Sequence, residues 1–254
     1  MSEPAGDREL VEVASSDGVT RVRLNRPEVR NAISRDLIER LMEVVEGIRT
    51  DREVRVVVLE GSGRSFCAGM DLKQVMDDPV AMGDMLRELG RATIALRSIQ
   101  VPTIARVQGA AIGGGCGLSG VCDFVVSHPE VKIGYPEIGL GICPAVVAPW
   151  LVLRIGAGNA RSILLAGGTM DGERAHRFGL VDDLVPASEL DSAVERLVER
   201  ICSGGPEALR VTKRWLNELD GPRIAEQVMR GAELSAEVIR GQEAQERLRK
   251  VFAK

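Results

Sequence analysis

A cluster of glycines near the middle of the chain is the first feature that could do chemistry. Within the segment AAIGGGCGLSGVCDFVV, residues 110–126, the run from Gly115 to Gly120 matches the pattern G-x-G-x-x-G. That pattern can hold the pyrophosphate of a dinucleotide at the start of a helix. A glycine-rich loop can also present its backbone N–H groups to a carbonyl oxygen. The two interpretations lead to different enzymes.

The dinucleotide interpretation requires a long helix directly after the glycines. The residues that follow Gly120 are Val-Cys-Asp-Phe-Val-Val-Ser, which are rich in β-branched types, and the segment closes at His128-Pro129. Only about two turns of helix fit between Gly114 and Cys122. The sequence therefore favours an oxygen-binding loop, or a plain site of tight packing, over a dinucleotide fold.

Composition limits the class of protein. The chain has 254 residues, 44% of them hydrophobic and only 3% aromatic, and its formal net charge is −4. This length suits one large domain with a core of Val, Ile, Leu and Ala. The acidic balance argues against a nucleic acid or an anionic membrane as partner. The longest uncharged run, between Arg106 and Asp123, is too short and too rich in glycine to span a membrane.

Cysteine and histidine content points to a reduced protein without a metal. The five cysteines form no C-x-x-C pair and are interpreted as packing residues. His128 and His176 have no partner at ligand spacing, so a structural role and no metal site are predicted. The first ten residues lack an apolar segment, which predicts a cytoplasmic protein rather than a secreted one.

The elements that must position these residues alternate between strand and helix. Strands are predicted at 19–24, 54–59 and 101–112, the last one ending in the glycine cluster. Ser34 is expected to cap a helix whose apolar residues recur at helical spacing; they are Leu37, Ile38, Leu41, Val44, Val45 and Ile48. Further helices are predicted at about 82–99, 190–202 and 206–219, and from 222 towards the end. The predicted class is therefore α/β for the first part of the chain, and the part that follows is predicted to contain helices alone.

Several motifs, taken in order, resemble the enoyl-CoA hydratase/isomerase family, the crotonase superfamily. They are LNRPEVRNAI (24–33), SFCAGMDLKQV (65–75), the glycine cluster, IGYPEIGLGICPA (133–145) and GERAHRFGLVDDLVP (172–186). The resemblance implies a crotonase-like spiral of ββα units with a helical C-terminal region. It further implies an acyl-CoA-binding core in residues 1–190, a trimerisation region in 191–254, and a homotrimer or a hexamer built as a dimer of trimers.

The same resemblance implies a set of site residues. The backbone N–H groups of Met70 and Gly114 would hold the thioester oxygen, and Glu137 would act as the acid or base. The residues implied to bind coenzyme A are Val29, Arg30, Ala68, Asp71, Leu72 and Lys73. Coenzyme A is part of the substrate, and no separate cofactor is expected. From the residues alone, Asp71 is expected to cap a helix that opens at Leu72.

One departure from the family pattern decides the predicted reaction. Hydratases of this family use two glutamates, and Gly117 stands where the first would be. A single carboxylate can remove a proton and return it elsewhere, which predicts a Δ3,Δ2-enoyl-CoA isomerase-like activity. One alternative is a hydratase, or a lyase or decarboxylase acting on a branched acyl-CoA, with a second carboxylate supplied by a neighbour such as Asp77, Asp78 or Glu88. The other alternative is a catalytically silent acyl-CoA-binding scaffold.

Shuttling a proton at neutral pH requires a carboxyl group whose pKa is raised towards neutrality. Apolar neighbours of Glu137 in the sequence predict such an environment; they are Ile133, Tyr135, Ile138 and Leu140.

Overall fold

A computed structural model of the chain describes residues 9–252, except for the side chains of Gln74 and Phe252. The strands in this range are β1 (Val11–Ser16), β2 (Val19–Leu24), β3 (Val56–Gly61), β4 (Thr103–Arg106), β5 (Ala110–Ile112), β6 (Phe124–Ser127), β7 (Lys132–Gly134), β8 (Thr169–Met170) and β9 (Asp183–Leu184). The α-helices are α1 (Arg35–Thr50), α2 (Pro79–Arg97), α3 (Gly114–Gly120), α4 (Ala148–Ala166), α5 (Gly172–Phe178), α6 (Leu190–Cys202), α7 (Pro206–Leu219), α8 (Ile224–Ile239) and α9 (Gln242–Phe252).

Two sheets organise the α/β part. The larger has the order β1-β2-β3-β4-β6-β9, and all of its pairs are parallel except β1 with β2. The smaller has the order β5-β7-β8, with β5 parallel to β7. The predicted α/β class is confirmed.

Strand β3 is buried on both faces, as expected for the interior of a parallel sheet. Val57 and Leu59 point into the main core, whereas Val56 and Val58 pack against helix α6. The two sets alternate because successive side chains of a strand point to opposite faces. Helix α6 therefore covers one face of the larger sheet, and the site described below is built on the other side.

Helix α1 follows the sequence prediction. The Ser34 side chain accepts a hydrogen bond from the backbone N–H of Leu37 at 3.3 Å, and all six predicted apolar residues are buried. The helix predicted at about 82–99 begins earlier, at Pro79, because Asp78 Oδ1 caps it by accepting from the N–H groups of Val80 and Ala81. Proline at the first helical position also favours this start.

The strand predicted at 101–112 is in fact two strands that belong to different sheets. Between them lies Gly109 in a left-handed conformation with φ +63°, where the chain leaves the larger sheet and enters the smaller. A Cβ atom on Gly109 would lie 1.9 Å from the carbonyl oxygen of Arg64, so only glycine fits at this crossing. The predicted strand 54–59 is likewise shifted to Val56–Gly61.

The C-terminal part is helical, as predicted, but the helix expected from 222 onwards is two helices, α8 and α9. Helix α8 packs along α2, and α9 packs on the 3₁₀ turn Glu137–Leu140. None of the helices within residues 9–252 combines the length and the hydropathy needed to cross a bilayer.

Candidate active site

A cavity of about 420 Å³ lies where three separate segments meet. Its lining includes the loop after β3, the junction between β5 and α3, and the 3₁₀ turn Glu137–Leu140. Helices α2 and α8 and the segment before α4 close it with apolar side chains. These lining residues include Leu86, Leu89, Val146, Val147 and Ile239.

The loop after β3 is held by two isolated parallel bridges, Ile33 with Met70 and Cys67 with Ala111. In the first bridge the N–H of Ile33 donates to the oxygen of Gly69, and the N–H of Asp71 donates to the oxygen of Ile33. Neighbouring N–H groups of an extended chain point to opposite sides. The N–H of Met70 therefore points away from Ile33.

Gly114 is the first residue of α3, so its N–H has no partner in the helix. Gly69, with φ +93°, lies so near that a Cβ atom built on it would be 3.9 Å from Gly114 N. The Met70 side chain also approaches Gly114. Within residues 9–252, neither the N–H of Met70 nor that of Gly114 donates to a protein acceptor. The fold thus brings two unpartnered backbone donors from distant parts of the chain to one cavity.

Glu137 begins the 3₁₀ turn that lies beside these donors. A Cβ atom on Gly113 would lie 2.6 Å from Glu137 Oε1, so the carboxylate rests against the residue that precedes Gly114. Its other oxygen, Oε2, is buried and has no hydrogen-bond partner in the described part of the chain. Burial raises the pKa of the Glu137 carboxyl to about 7, because the apolar surroundings disfavour the charged form. This carboxyl can exchange a proton near neutral pH.

All six residues that the resemblance implies for coenzyme A binding line this cavity, together with Met70, Gly114 and Glu137. One expectation about them is wrong, because the Asp71 side chain does not cap a helix. The following element is a short 3₁₀ turn, Leu72–Val75, and the Asp71 side chain makes no capping hydrogen bond. The carboxylate instead accepts a hydrogen bond from Arg26 Nη1 at 3.0 Å. Arg26 is nearly buried and therefore needs a counter-charge.

The neighbours considered as a second carboxylate do not line the cavity. Asp78 caps α2, and Glu88 forms an ion pair with Arg35 at 3.5 Å. Asp77 is also absent from the lining. The acidic residues among the described lining are Glu28, Asp71 and Glu137; of these, Asp71 is engaged by Arg26.

Both histidines lie outside the cavity lining. His128 Nε2 accepts from the N–H of Gly109 at 3.2 Å, and His176 Nδ1 contacts the oxygen of Val181 at 2.9 Å. Cys67, Cys116 and Cys122 are buried packing residues, as expected. Cys143 differs, because it is half-buried and lines the cavity. No spacing pattern in the sequence singles it out.

Comparison with known proteins gives consistent results. A family model described as enoyl-CoA hydratase/isomerase matches residues 14–252. A crotonyl-CoA hydratase of Syntrophomonas wolfei is 33% identical over 198 residues, covering 77% of this chain and 76% of that protein. An enoyl-CoA isomerase/hydratase of Mycosarcoma maydis is 32% identical over 211 residues, covering 79% and 77%. Among solved structures, Pseudomonas aeruginosa OdaA matches with a TM-score of 0.88 at 26% identity, over 97% of this chain and 100% of that one.

Proposed function

Because the chain belongs to the enoyl-CoA hydratase/isomerase family, we propose that it moves the double bond of an enoyl-CoA between the β,γ and α,β positions, as a Δ3,Δ2-enoyl-CoA isomerase does. The observation that carries this proposal is the pairing of two unpartnered backbone donors with one buried carboxyl group that titrates near neutrality. Proton removal and return at two carbons of one substrate needs no second acid.

In this proposal the thioester oxygen accepts hydrogen bonds from the N–H groups of Met70 and Gly114. Removal of a proton from C2 places negative charge on that oxygen, and fixed donors stabilise the charge more than the neutral substrate. Loss of one such donor typically costs about 3–4 kcal/mol of transition-state stabilisation. Glycine at position 114 suits this role because it lets the backbone approach the ligand closely.

Glu137 takes the proton from C2 and returns it to C4 of the dienolate. A carboxyl group with a pKa of about 7 suits both steps, since it is populated in its charged and its neutral form at neutral pH. Arg30 and Lys73 line the same cavity and would meet the phosphates of coenzyme A as positive charges.

Hydration is the competing reaction, because curated relatives such as the crotonyl-CoA hydratase carry that name. Addition of water normally needs one group to activate the water and another to deliver a proton. Gly117, at the position of the first hydratase glutamate, supports the isomerase proposal over this one. A lyase or decarboxylase reaction on a branched acyl-CoA, or binding without turnover, are further outcomes that the assay below separates.

We also propose that the chain assembles into homotrimers, alone or paired into hexamers. Helix α7 supports this, because Lys213 is its single buried side chain within the described chain. Most of its large apolar residues are exposed instead, with Trp215 at 57% and Leu219 at 61%. An exposed apolar helix face of this kind marks an interaction surface. The domain boundary at residue 190, the cytoplasmic location and the lack of a separate cofactor remain predictions.

The deciding experiment offers the protein 3-enoyl-CoA and 2-enoyl-CoA substrates of equal chain length. We expect conversion of the 3-enoyl to the 2-enoyl thioester, with 3-hydroxyacyl-CoA formed far more slowly. Faster water addition than double-bond migration would reassign the protein as a hydratase. Binding of both thioesters without any turnover would identify a scaffold, and loss of CO₂ or chain cleavage from branched substrates would identify the decarboxylase or lyase.

A further inference from the structure

The space in front of Gly117 is filled by Val147. A Cβ atom on Gly117 would lie 2.7 Å from Val147 Cγ1, which is closer than real side-chain contacts allow. Gly117 is buried in α3 and does not line the cavity, whereas Val147 does line it and is only 1% exposed. Val147 therefore forms the cavity wall at the place where a side chain of residue 117 would otherwise emerge.

The three atoms nearest to this Cβ position are all carbon. The nearest other side chain to the same Cβ position is Thr93, through its methyl carbon at 4.0 Å. The Thr93 hydroxyl already donates to the oxygen of Gly90 at 2.8 Å and accepts from Trp150 Nε1 at 3.0 Å. An ordered water needs two to four polar partners. This patch of Val147 and the Thr93 methyl group provides none.

Several other residues of the lining are apolar as well. Leu86 and Leu89 come from α2, Ile142 and Val146 from the segment before α4, and Ile239 from α8. Such a lining suits a hydrocarbon chain and gives no partner to a carboxylate or a hydroxyl group on the acyl tail.

We propose that Val147 is a specificity-determining residue that keeps this wall dry, so that the 2-enoyl thioester formed by double-bond migration leaves without adding water. The inference rests on the proposed isomerase function and extends it to the acyl group, which should be an unsubstituted hydrocarbon chain. In migration, the C2–H bond breaks, the proton moves to Glu137, and a new C4–H bond forms while the double bond shifts. In hydration, a water oxygen bonds to C3 and a proton is added at C2, which requires a water molecule held beside the chain.

The test compares two matched variants, Val147→Thr and Val121→Thr. Each exchanges a methyl group for a hydroxyl at nearly constant volume on a buried valine, and Val121, which follows α3 and is 2% exposed, does not line the cavity. The probe is a linear 3-enoyl-CoA in H₂¹⁸O, and the readout is the ratio of ¹⁸O-labelled 3-hydroxyacyl-CoA to 2-enoyl-CoA. We expect Val147→Thr to raise this ratio by about tenfold or more and Val121→Thr to leave it within about twofold.

A second variant, Val147→Ser, makes room for water and also supplies a hydroxyl group, and it should raise the ratio in the same direction. It also serves if the threonine variant fails to fold, which thermal unfolding of both proteins reports. An unchanged ratio in the folded Val147 variants, or an equal rise in Val121→Thr, would overturn the role of Val147 and leave the isomerase proposal standing. Failure of the unmodified protein to isomerise would instead refute the proposed function itself.

A separate experiment tests the predicted acyl group. The unmodified protein should turn over a linear 3-enoyl-CoA with a kcat/KM at least about a hundredfold above that of the same chain ending in a carboxylate, since the lining leaves that charge unpaired. Comparable values for the two thioesters would show that the cavity does not select a hydrocarbon chain.

Discussion

The carboxylate of Glu137 lies directly against Gly113, the residue that precedes the backbone donor Gly114. Gly113 has φ +53°, and its own N–H donates to the oxygen of Gly134 at 2.8 Å. Strand β7 ends at Gly134, three residues before Glu137. The junction therefore fixes the proposed base and one proposed oxyanion donor relative to each other through a short stretch of hydrogen-bonded backbone.

Substitution Gly113→Ala should displace the Glu137 carboxylate, because the new Cβ would lie 2.6 Å from Oε1. We expect kcat/KM for isomerisation to fall by roughly a hundredfold, since small misplacements of a reacting group are costly. The matched control is Gly139→Ala in the same 3₁₀ turn, where a Cβ atom meets nothing within 4 Å. Equal activity of the two variants in a steady-state assay would show that the Gly113 contact does not position the base.

Substitution Glu137→Gln removes the proposed acid–base group at nearly constant shape. Exchange of the C2 proton with solvent deuterium should fall by about 10²–10⁴-fold, while binding of coenzyme A stays close to that of the unmodified protein. Glu88→Gln is the control, because burial also raises the pKa of Glu88 but its side chain does not line the cavity. Retained exchange in Glu137→Gln would remove this residue from the mechanism.

The pH dependence of the reaction should follow the Glu137 carboxyl. The ionised form is the base, so kcat/KM should rise with pH and level off above an apparent pKa of about 7. The measurement is a profile of kcat/KM against pH at constant ionic strength. A profile that levels off near the ordinary glutamate value of 4.5 would place the carboxyl in solvent.

Stability should respond to pH in the opposite direction. Between the unfolded value of 4.5 and the folded value of about 7, the folded chain keeps a proton on Glu137 that the unfolded chain has released. The free energy of unfolding therefore decreases as pH rises through this window, by roughly 3 kcal/mol. Glu137→Gln has no carboxyl group to ionise in the core, so it should be more stable than the unmodified protein above this pH window. Below the window the two proteins should have the same free energy of unfolding. Denaturant unfolding at several pH values measures the difference, and a pH-independent gap would contradict the assignment.

Assembly should depend on the exposed face of α7. Substitution Leu219→Asp places a charge on this apolar surface and should shift the sedimentation coefficient from that of a trimer or larger species towards that of a monomer. Val80→Asp, a change at an exposed residue near the start of α2, should leave assembly unaltered. A monomeric unmodified protein, or an unaltered Leu219→Asp assembly, would count against the α7 surface.

Local patterns in the sequence predicted much of this protein. The spacing of apolar residues and the Ser34 cap determine α1, because helix formation there depends on contacts within a few residues. The short segment after Gly120 argues against a dinucleotide fold for the same local reason. The order of the motifs indicates the family. The resemblance to that family in turn indicates the residues that were found to line one cavity.

Tertiary structure alone decided the rest, because the deciding contacts join residues far apart in the chain. Asp71 would cap a helix on local grounds, but the nearly buried Arg26 engages it as a counter-charge. Gly109 divides one predicted strand into two because of the carbonyl of Arg64. Which side chain fills the space at Gly117 depends on how α3 packs against the start of α4, where Val147 lies. No periodicity within either segment specifies that packing.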